Sequence, residues 1–198
     1  MYKVIKRFID IALALLGIVL LSPLFLGIIV FIKLESKGPI FFKQKRIGLH
    51  KKEFYILKFR TMRIDTPSAV PTHLLKNPYQ WITKVGKVLR RTSLDELPQI
   101  WNILVGHMSL VGPRPALWNQ FDLIEERDKY GAYGANDILP GLTGWAQING
   151  RDELSIPVKA KFDGYYVKNC SFVLDCRCVV ESFLVVFKRY GHREGGAD

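Results

Sequence analysis

The 198-residue sequence carries no Lys, Arg, Asp or Glu between Ile11 and Ile32, a run of 22 residues. Cysteine is scarce: Cys170, Cys176 and Cys178 are odd in number, form no CxxC pair and have no matching histidine cluster. That pattern excludes a disulfide framework and fits reduced thiols of a cytoplasmic domain. The histidines at 50, 73, 107 and 192 are too scattered for a zinc site. GxGxxG, Walker A and a Ser or Cys nucleophile elbow are all missing, which weighs against an ordinary kinase or ATPase. No internal repeat or low-complexity tract is present.

Acid is also in short supply, with 18 Asp and Glu against 29 Lys and Arg, a net charge of +11 and a pI near 9.6. Nucleic-acid binding is one reading of such an excess. The chain has neither zinc-finger spacing nor an RNP-type aromatic strand, however, and its basic residues crowd the apolar run. Attraction to an anionic lipid leaflet, on the order of 1 kcal/mol per nearby Lys or Arg, explains that location better.

As a helix, the uncharged run would be about 33 Å long, roughly one hydrocarbon thickness. It is too long for a signal-peptide core, and Lys33 to Lys37 offer no small-residue cleavage pattern. Lys3, Lys6 and Arg7 precede it, while Lys33, Lys37, Lys43, Lys45, Arg46, Lys51 and Lys52 follow. The positive-inside rule is satisfied at both flanks only if the helix dips into the bilayer and returns. Ser22-Pro23 lies mid-run, where proline frees a backbone carbonyl and a serine hydroxyl can take it up. The expected organisation is a re-entrant helix-break-helix over 1–36 and one domain over 37–198. A kinked span and a soluble core helix are the alternatives.

Within that domain, residues 40–47 and 53–60 flank Gly48 to Lys52 and read as a β-hairpin. Residues 65–80 collect Asp, Thr, Pro, Ser and Asn and read as a surface loop. Residues 172–190 mix Phe, Val and Leu with charged side chains and fit either an interfacial or a core helix. The expected class is α+β: a mainly helical single domain with a β-hairpin, anchored by the N-terminal helix and interfacial helices.

Adjacent carboxylates, Asp95 and Glu96 in SLDELPQ, follow Arg90 and Arg91 and precede Arg114 in GPRP. Acids among arginines suit phosphate chemistry, because a carboxylate can attack phosphorus while arginine forks hold the phosphoryl oxygens. Leu97, Ile100, Trp101 and Leu104 at i, i+3, i+4 and i+7 start a helix at or just before the pair. Acids are favoured in a first helical turn in any case, and Ser93 with Glu96 has capping-box spacing, although Pro98 argues for a later start. Catalysis and capping both remain open on pattern alone. In LPGLTGWAQINGR, residues 139–151, Gln147, Asn149 and Arg151 would share one side of an extended segment that could read a nucleotide or a sugar, or simply be a hydrogen-bonded loop.

The basic start, Ser22-Pro23, KFRTM at 58–62, LRRTSLDELPQ at 89–99, SLVGPRP at 109–115 and LPGLTGWAQINGR occur in the order that resembles the monotopic phosphoglycosyl transferases, in their small form. The resemblance spans nearly the whole chain. It implies transfer of sugar 1-phosphate from a UDP-sugar to undecaprenyl phosphate, with release of UMP, at the cytoplasmic face of a bacterial inner membrane.

By the same resemblance Asp95 is the nucleophile that forms a covalent phosphosugar intermediate, and Glu96 assists as base or positions magnesium and acceptor. Arg90 and Arg114 match phosphate-binding arginines, Lys58 and Arg60 a basic strand near the site, Gln147, Asn149 and Arg151 a nucleotide and sugar region, and Asp163 a further acidic position. Mg2+, held in part by Asp95, would reduce repulsion between this anion and the pyrophosphate. Arg90 and a helix N-terminus would favour the ionised Asp95. A phospholipid bilayer and a homodimer are the further expected partners; nucleic acid is not. The segment PRPALWNQ, residues 113–120, resembles members that use N-acetylated aminosugars. The rivals are a multi-span transferase, which one apolar helix cannot build, and a non-catalytic membrane scaffold.

Overall fold

A computed structural model describes residues 2–66, 78–129, 134–150 and 153–188. Arg151, His73 and His192, most of the expected 65–80 loop and the last two residues of the 172–190 segment lie outside the described residues.

The chain opens with α1 (Tyr2–Glu35), 34 residues long and about 51 Å at helical rise. It runs through Ser22-Pro23 as one helical element. Pro23 cannot donate to the carbonyl of Val19, and the Ser22 hydroxyl donates to that carbonyl instead, at 2.7 Å. Only 11% of the most apolar window of α1 is buried against protein, so it is not the core helix of a globule. Leu16, Val19, Leu20 and Leu26 are all exposed.

Both ends of α1 are fastened to the same body. Near the N-terminus, Lys6 donates to Asp175 at 2.6 Å, Arg7 donates to the carbonyls of Ile103 and Leu104, and Asp10 accepts from the Ser109 hydroxyl and the Leu110 amide. Near the C-terminus, Ile28 and Ile32 pack with Phe59 and Leu89, and the Glu35 carboxylate accepts from the Lys84 and Val85 amides, capping the next helix.

The expected hairpin is present: β1 (Phe41–Ile47) pairs antiparallel with β2 (Glu53–Phe59), Phe41 opposite Phe59 and Ile47 opposite Glu53. After a 3-10 turn at Pro78–Gln80 come α2 (Lys84–Thr92), a single 3-10 turn at Leu94–Glu96 and α3 (Gln99–Leu104). A second sheet was not expected from sequence: β3 (Ser109–Val111) runs parallel to β4 (Gly141–Thr143), with α4 (Phe121–Lys129) between them. The chain continues with α5 (Trp145–Ile148), α6 (Ile156–Lys168) and α7 (Phe172–Lys188). In α7, Asp175 and Cys178 face inward, while Phe172, Val173, Val180 and Phe183 stay exposed.

Candidate active site

The acidic pair sits on the 3-10 turn between α2 and α3, not at the start of an α-helix as the periodicity suggested. Two features cause this. Ser93 takes a left-handed conformation (φ 57, ψ 16), which ends α2 and reverses the chain, and its side chain caps nothing. Pro98 then delays the α-helix to Gln99, where its missing amide costs no bond. Leu94 and Leu97, on either side of the acids, pack onto the Ile28, Ile32, Phe59 and Leu89 cluster and hold the turn down.

Around this turn the fold brings cations from three elements. Lys58 on β2 donates to Glu96 Oε1 at 2.8 Å, both side chains being largely buried. Arg114, in the segment after β3, brings its guanidinium to 3.6 Å from the same oxygen. Arg90 on α2 donates from Nε to the Thr61 hydroxyl at 2.9 Å. Gly86 makes that position possible, because a Cβ there would overlap the Thr61 carbonyl.

Among the described residues Asp95 accepts no side-chain hydrogen bond, and its carboxyl is pushed up to about 6. Burial is the main cause, Lys58 and Arg90 pull the other way, and the neighbouring Glu96 charge adds to the rise. The expected lowering by Arg90 and a helix dipole is therefore outweighed by desolvation. Near neutral pH the group is still mostly ionised, and it is poorly solvated, as a nucleophile should be.

A cleft of about 580 Å³ has Arg114, Arg46, Gln147, Lys159 and Asp163 on its walls. The backbones of the GPRP and PGLTG segments meet directly here: a Cβ on Gly144 would overlap the Gly112 carbonyl. Gln147 lies on α5, not on an extended segment, and is 8% exposed with neither amide atom hydrogen-bonded. Asp163 accepts two hydrogen bonds from Arg127, at 2.6 and 2.9 Å, and burial pushes its carboxyl up against the pull of that arginine.

Two expected site residues are elsewhere. Arg60 donates to the Ser36 and Lys37 carbonyls and the Ser36 hydroxyl, so it fastens the segment after α1 and does not face the acids. Asn149 is exposed and donates back to the Trp145 carbonyl, closing its own helical turn. Arg46, Arg127 and Lys159 were missed, since no local motif marks them and only the packing of α4 and α6 with the hairpin brings them in. Among the described residues no three His, Cys, Asp or Glu side chains gather into a metal-binding group.

A desolvated carboxylate on a turn, with lysine and arginines around it and a basic cleft near Arg114, suits phosphate chemistry. The match to known proteins makes this specific: a family described as Bacterial sugar transferase matches residues 1–189, and the chain belongs to it. It is 41% identical over 174 residues to an uncharacterized sugar transferase, EpsL, of Bacillus subtilis, covering 88% of this chain and 83% of that one. It is 37% identical to the UDP-N-acetylgalactosamine-undecaprenyl-phosphate N-acetylgalactosaminephosphotransferase of Aeromonas hydrophila, covering 97% of this chain and 46% of the relative. The UDP-glucose:undecaprenyl-phosphate glucose-1-phosphate transferase of Escherichia coli is 39% identical, with 95% and 40% covered. The chain thus spans less than half the length of those two transferases.

Proposed function

We propose that this protein moves sugar 1-phosphate from a UDP-sugar to undecaprenyl phosphate and releases UMP, as a first membrane step in glycoconjugate assembly. The relatives' activities support the overall reaction, and the observation that carries the mechanism is Asp95: a desolvated carboxylate that feels Lys58 and Arg90, next to a Glu96 that Lys58 and Arg114 approach. An Asp95 oxygen attacks the sugar-bearing phosphorus, the bond to the bridging oxygen breaks, and UMP leaves with the electron pair. An oxygen of the lipid phosphate then attacks the same phosphorus and displaces Asp95. Lys58 and Arg114 hold Glu96 beside the reaction and offset charge on the phosphoryl oxygens.

Adjacent carboxylates are hard oxygen donors of the kind magnesium prefers, and the Asp95 carboxyl is not taken up by a side-chain donor among the described residues. Bound there with phosphate oxygens, the ion would screen repulsion between anions.

α1 is proposed to enter and leave the bilayer through one face at the cytoplasmic side of the inner membrane. Support comes from its exposed apolar middle and from the attachment of both its ends to one body, which a helix crossing about 30 Å of hydrocarbon could not keep. The sugar is proposed to be an N-acetylated aminosugar, tested with a panel of UDP-sugars and UMP release as readout.

The deciding experiment incubates purified protein with UDP-sugar and Mg2+ without lipid acceptor and reads mass on the peptide bearing Asp95. A phosphosugar adduct, absent from Asp95→Asn, is expected. A wild type that turns over with acceptor yet never forms the adduct overturns the covalent route.

A further inference from the structure

One polar side chain beside the acidic pair has no task in the fold. Gln99 opens α3 and is 4% exposed, yet its side-chain amide makes no hydrogen bond among the described residues. A buried amide without a partner costs free energy unless something else completes it. Unlike the amide of Gln147, that of Gln99 is not fully enclosed, so its polar tip meets open space although the residue as a whole is buried. Its place follows from the backbone, which is helical from Leu97 through α3. Glu96, Gln99 and Asn102 follow at steps of three and share one side of that turn and helix. Both outer members of the row are tied to β2: Glu96 accepts from Lys58, and Asn102 accepts from the Leu57 amide and donates to the Tyr55 carbonyl. Gln99 lies between them, four residues beyond Asp95. The cations of the site are engaged, Lys58 and Arg114 with Glu96 and Arg90 with the Thr61 hydroxyl.

Resting on the transferase reading above, we propose that Gln99 is a catalytic residue whose side-chain N–H donates to a non-bridging oxygen of the phosphorus that Asp95 attacks. An attacking carboxylate oxygen comes within about 3–3.5 Å of that phosphorus. A side chain one helical turn further along the same surface then reaches the oxygens around it. In the first step the bond from Asp95 to phosphorus forms as the bond to UMP breaks; in the second, the bond from the lipid phosphate forms as the bond to Asp95 breaks. The non-bridging oxygens stay negative through both, and the amide meets that charge without giving up a proton. A neutral donor suits the position, because a further cation would pair with Asp95 and make it a weaker nucleophile. Burial also fixes the amide in advance, so it need not reorganise as the transition state forms. Since one phosphorus is attacked twice, Gln99 serves both half-reactions.

The test uses the full chain in detergent with Mg2+, undecaprenyl phosphate and the UDP-sugar that the wild type turns over. Gln99→Met keeps the length of the side chain and removes the donor. Adduct formation and its discharge by the lipid phosphate both slow roughly 100-fold, so kcat/KM falls alike for the two substrates. The melting temperature holds, because no hydrogen bond within the chain is lost. Donors with sulfur in place of one non-bridging oxygen on the sugar-bearing phosphorus come as two diastereomers, and sulfur is a weak acceptor. In the wild type the diastereomer that turns its sulfur to Gln99 is handicapped; in Gln99→Met that handicap shrinks roughly 10-fold, and the other diastereomer behaves as before. A merely structural Gln99 would lower the melting temperature and leave both sulfur effects as they are. That result, wild-type rates in the variant, or a loss confined to one half-reaction overturns the assignment. A wild type that neither forms the Asp95 adduct nor transfers sugar phosphate overturns the transferase reading and the role of Gln99 with it, whereas an active wild type matched by Gln99→Met removes only Gln99.

Discussion

Replacing Asp95 with Asn should abolish adduct formation and, at neutral pH, make the protein more stable. The carboxyl titrates near 6 in the folded chain and near 3.9 when unfolded, a difference of about 2 units or about 3 kcal/mol. The sign follows from proton counting. Between about pH 4 and 6 the folded state holds more protons than the unfolded one, so stability falls as pH rises through that window and then levels off. Asn mimics the protonated carboxyl and escapes this loss. The variant should therefore melt about 6–12 °C above wild type at pH 7.5, taking about 2–4 °C per kcal/mol for a chain of this size. The gap should close by about pH 4, where both chains are neutral at this position. Melting curves in detergent with a chelator, from pH 4 to 8, measure it directly. A variant no more stable than wild type at pH 7.5, or a gap that does not change with pH, would refute desolvation as the dominant influence on Asp95. The same titration should appear in chemistry, with adduct formation falling about tenfold per pH unit below 6 and flat above.

Lys58→Gln removes a charge that favours ionised Asp95, so the pH midpoint of adduct formation should move upward from about 6; an unmoved midpoint in stopped-time mass spectrometry would deny Lys58 that role. Lys6→Met leaves Asp175 buried without its cation and should destabilise by about 3–5 kcal/mol, with Asp175→Asn recovering much of the loss in the double variant, as read by denaturant melts. Ser93 holds a left-handed backbone, so Ser93→Val should cost about 1–2 kcal/mol while Ser93→Gly should be neutral or mildly stabilising in the same assay.

The parts of the site that were legible are those whose signal is local. The hairpin announced itself through aromatic and β-branched runs around Gly48, and the acidic pair through its arginine neighbours. The parallel β3–β4 pair was not legible, because three-residue strands carry too little alternation to register and their partnership spans α4. Arg60 misled because a basic strand near phosphates has two faces. Lys58 and Arg60 are two apart and should share one, yet Arg60 falls just past β2, where the backbone bridges to Ile40 and the guanidinium turns to the end of α1. The extended reading of 139–151 failed at Gly144: the glycine lets the chain pass the Gly112 carbonyl and start a helical turn, which buries Gln147 and turns Asn149 to solvent. Arg127 and Lys159 sit in helices where a basic residue ordinarily means a solvated face, and only tertiary packing distinguishes them.

The relation between α1 and the acidic turn joins anchoring to chemistry. Ile28 and Ile32, four residues apart, form one stripe of α1, and that stripe packs with Phe59 of β2, Leu89 of α2 and the Leu94 and Leu97 that flank Asp95 and Glu96. All but one of the exposed leucines of α1, those from Leu13 to Leu26, lie earlier in the same helix. The floor of the site is therefore the continuation of the exposed apolar surface of α1, and Leu94 and Leu97 hold the turn that carries Asp95 against it. A polyprenyl phosphate with its tail among those leucines would present its charged head at the level of the turn, without leaving the bilayer. Hydrophobic packing fixes the height of the acids relative to the apolar surface, and the cations of β2, α2 and the GPRP segment then set the charge that they meet.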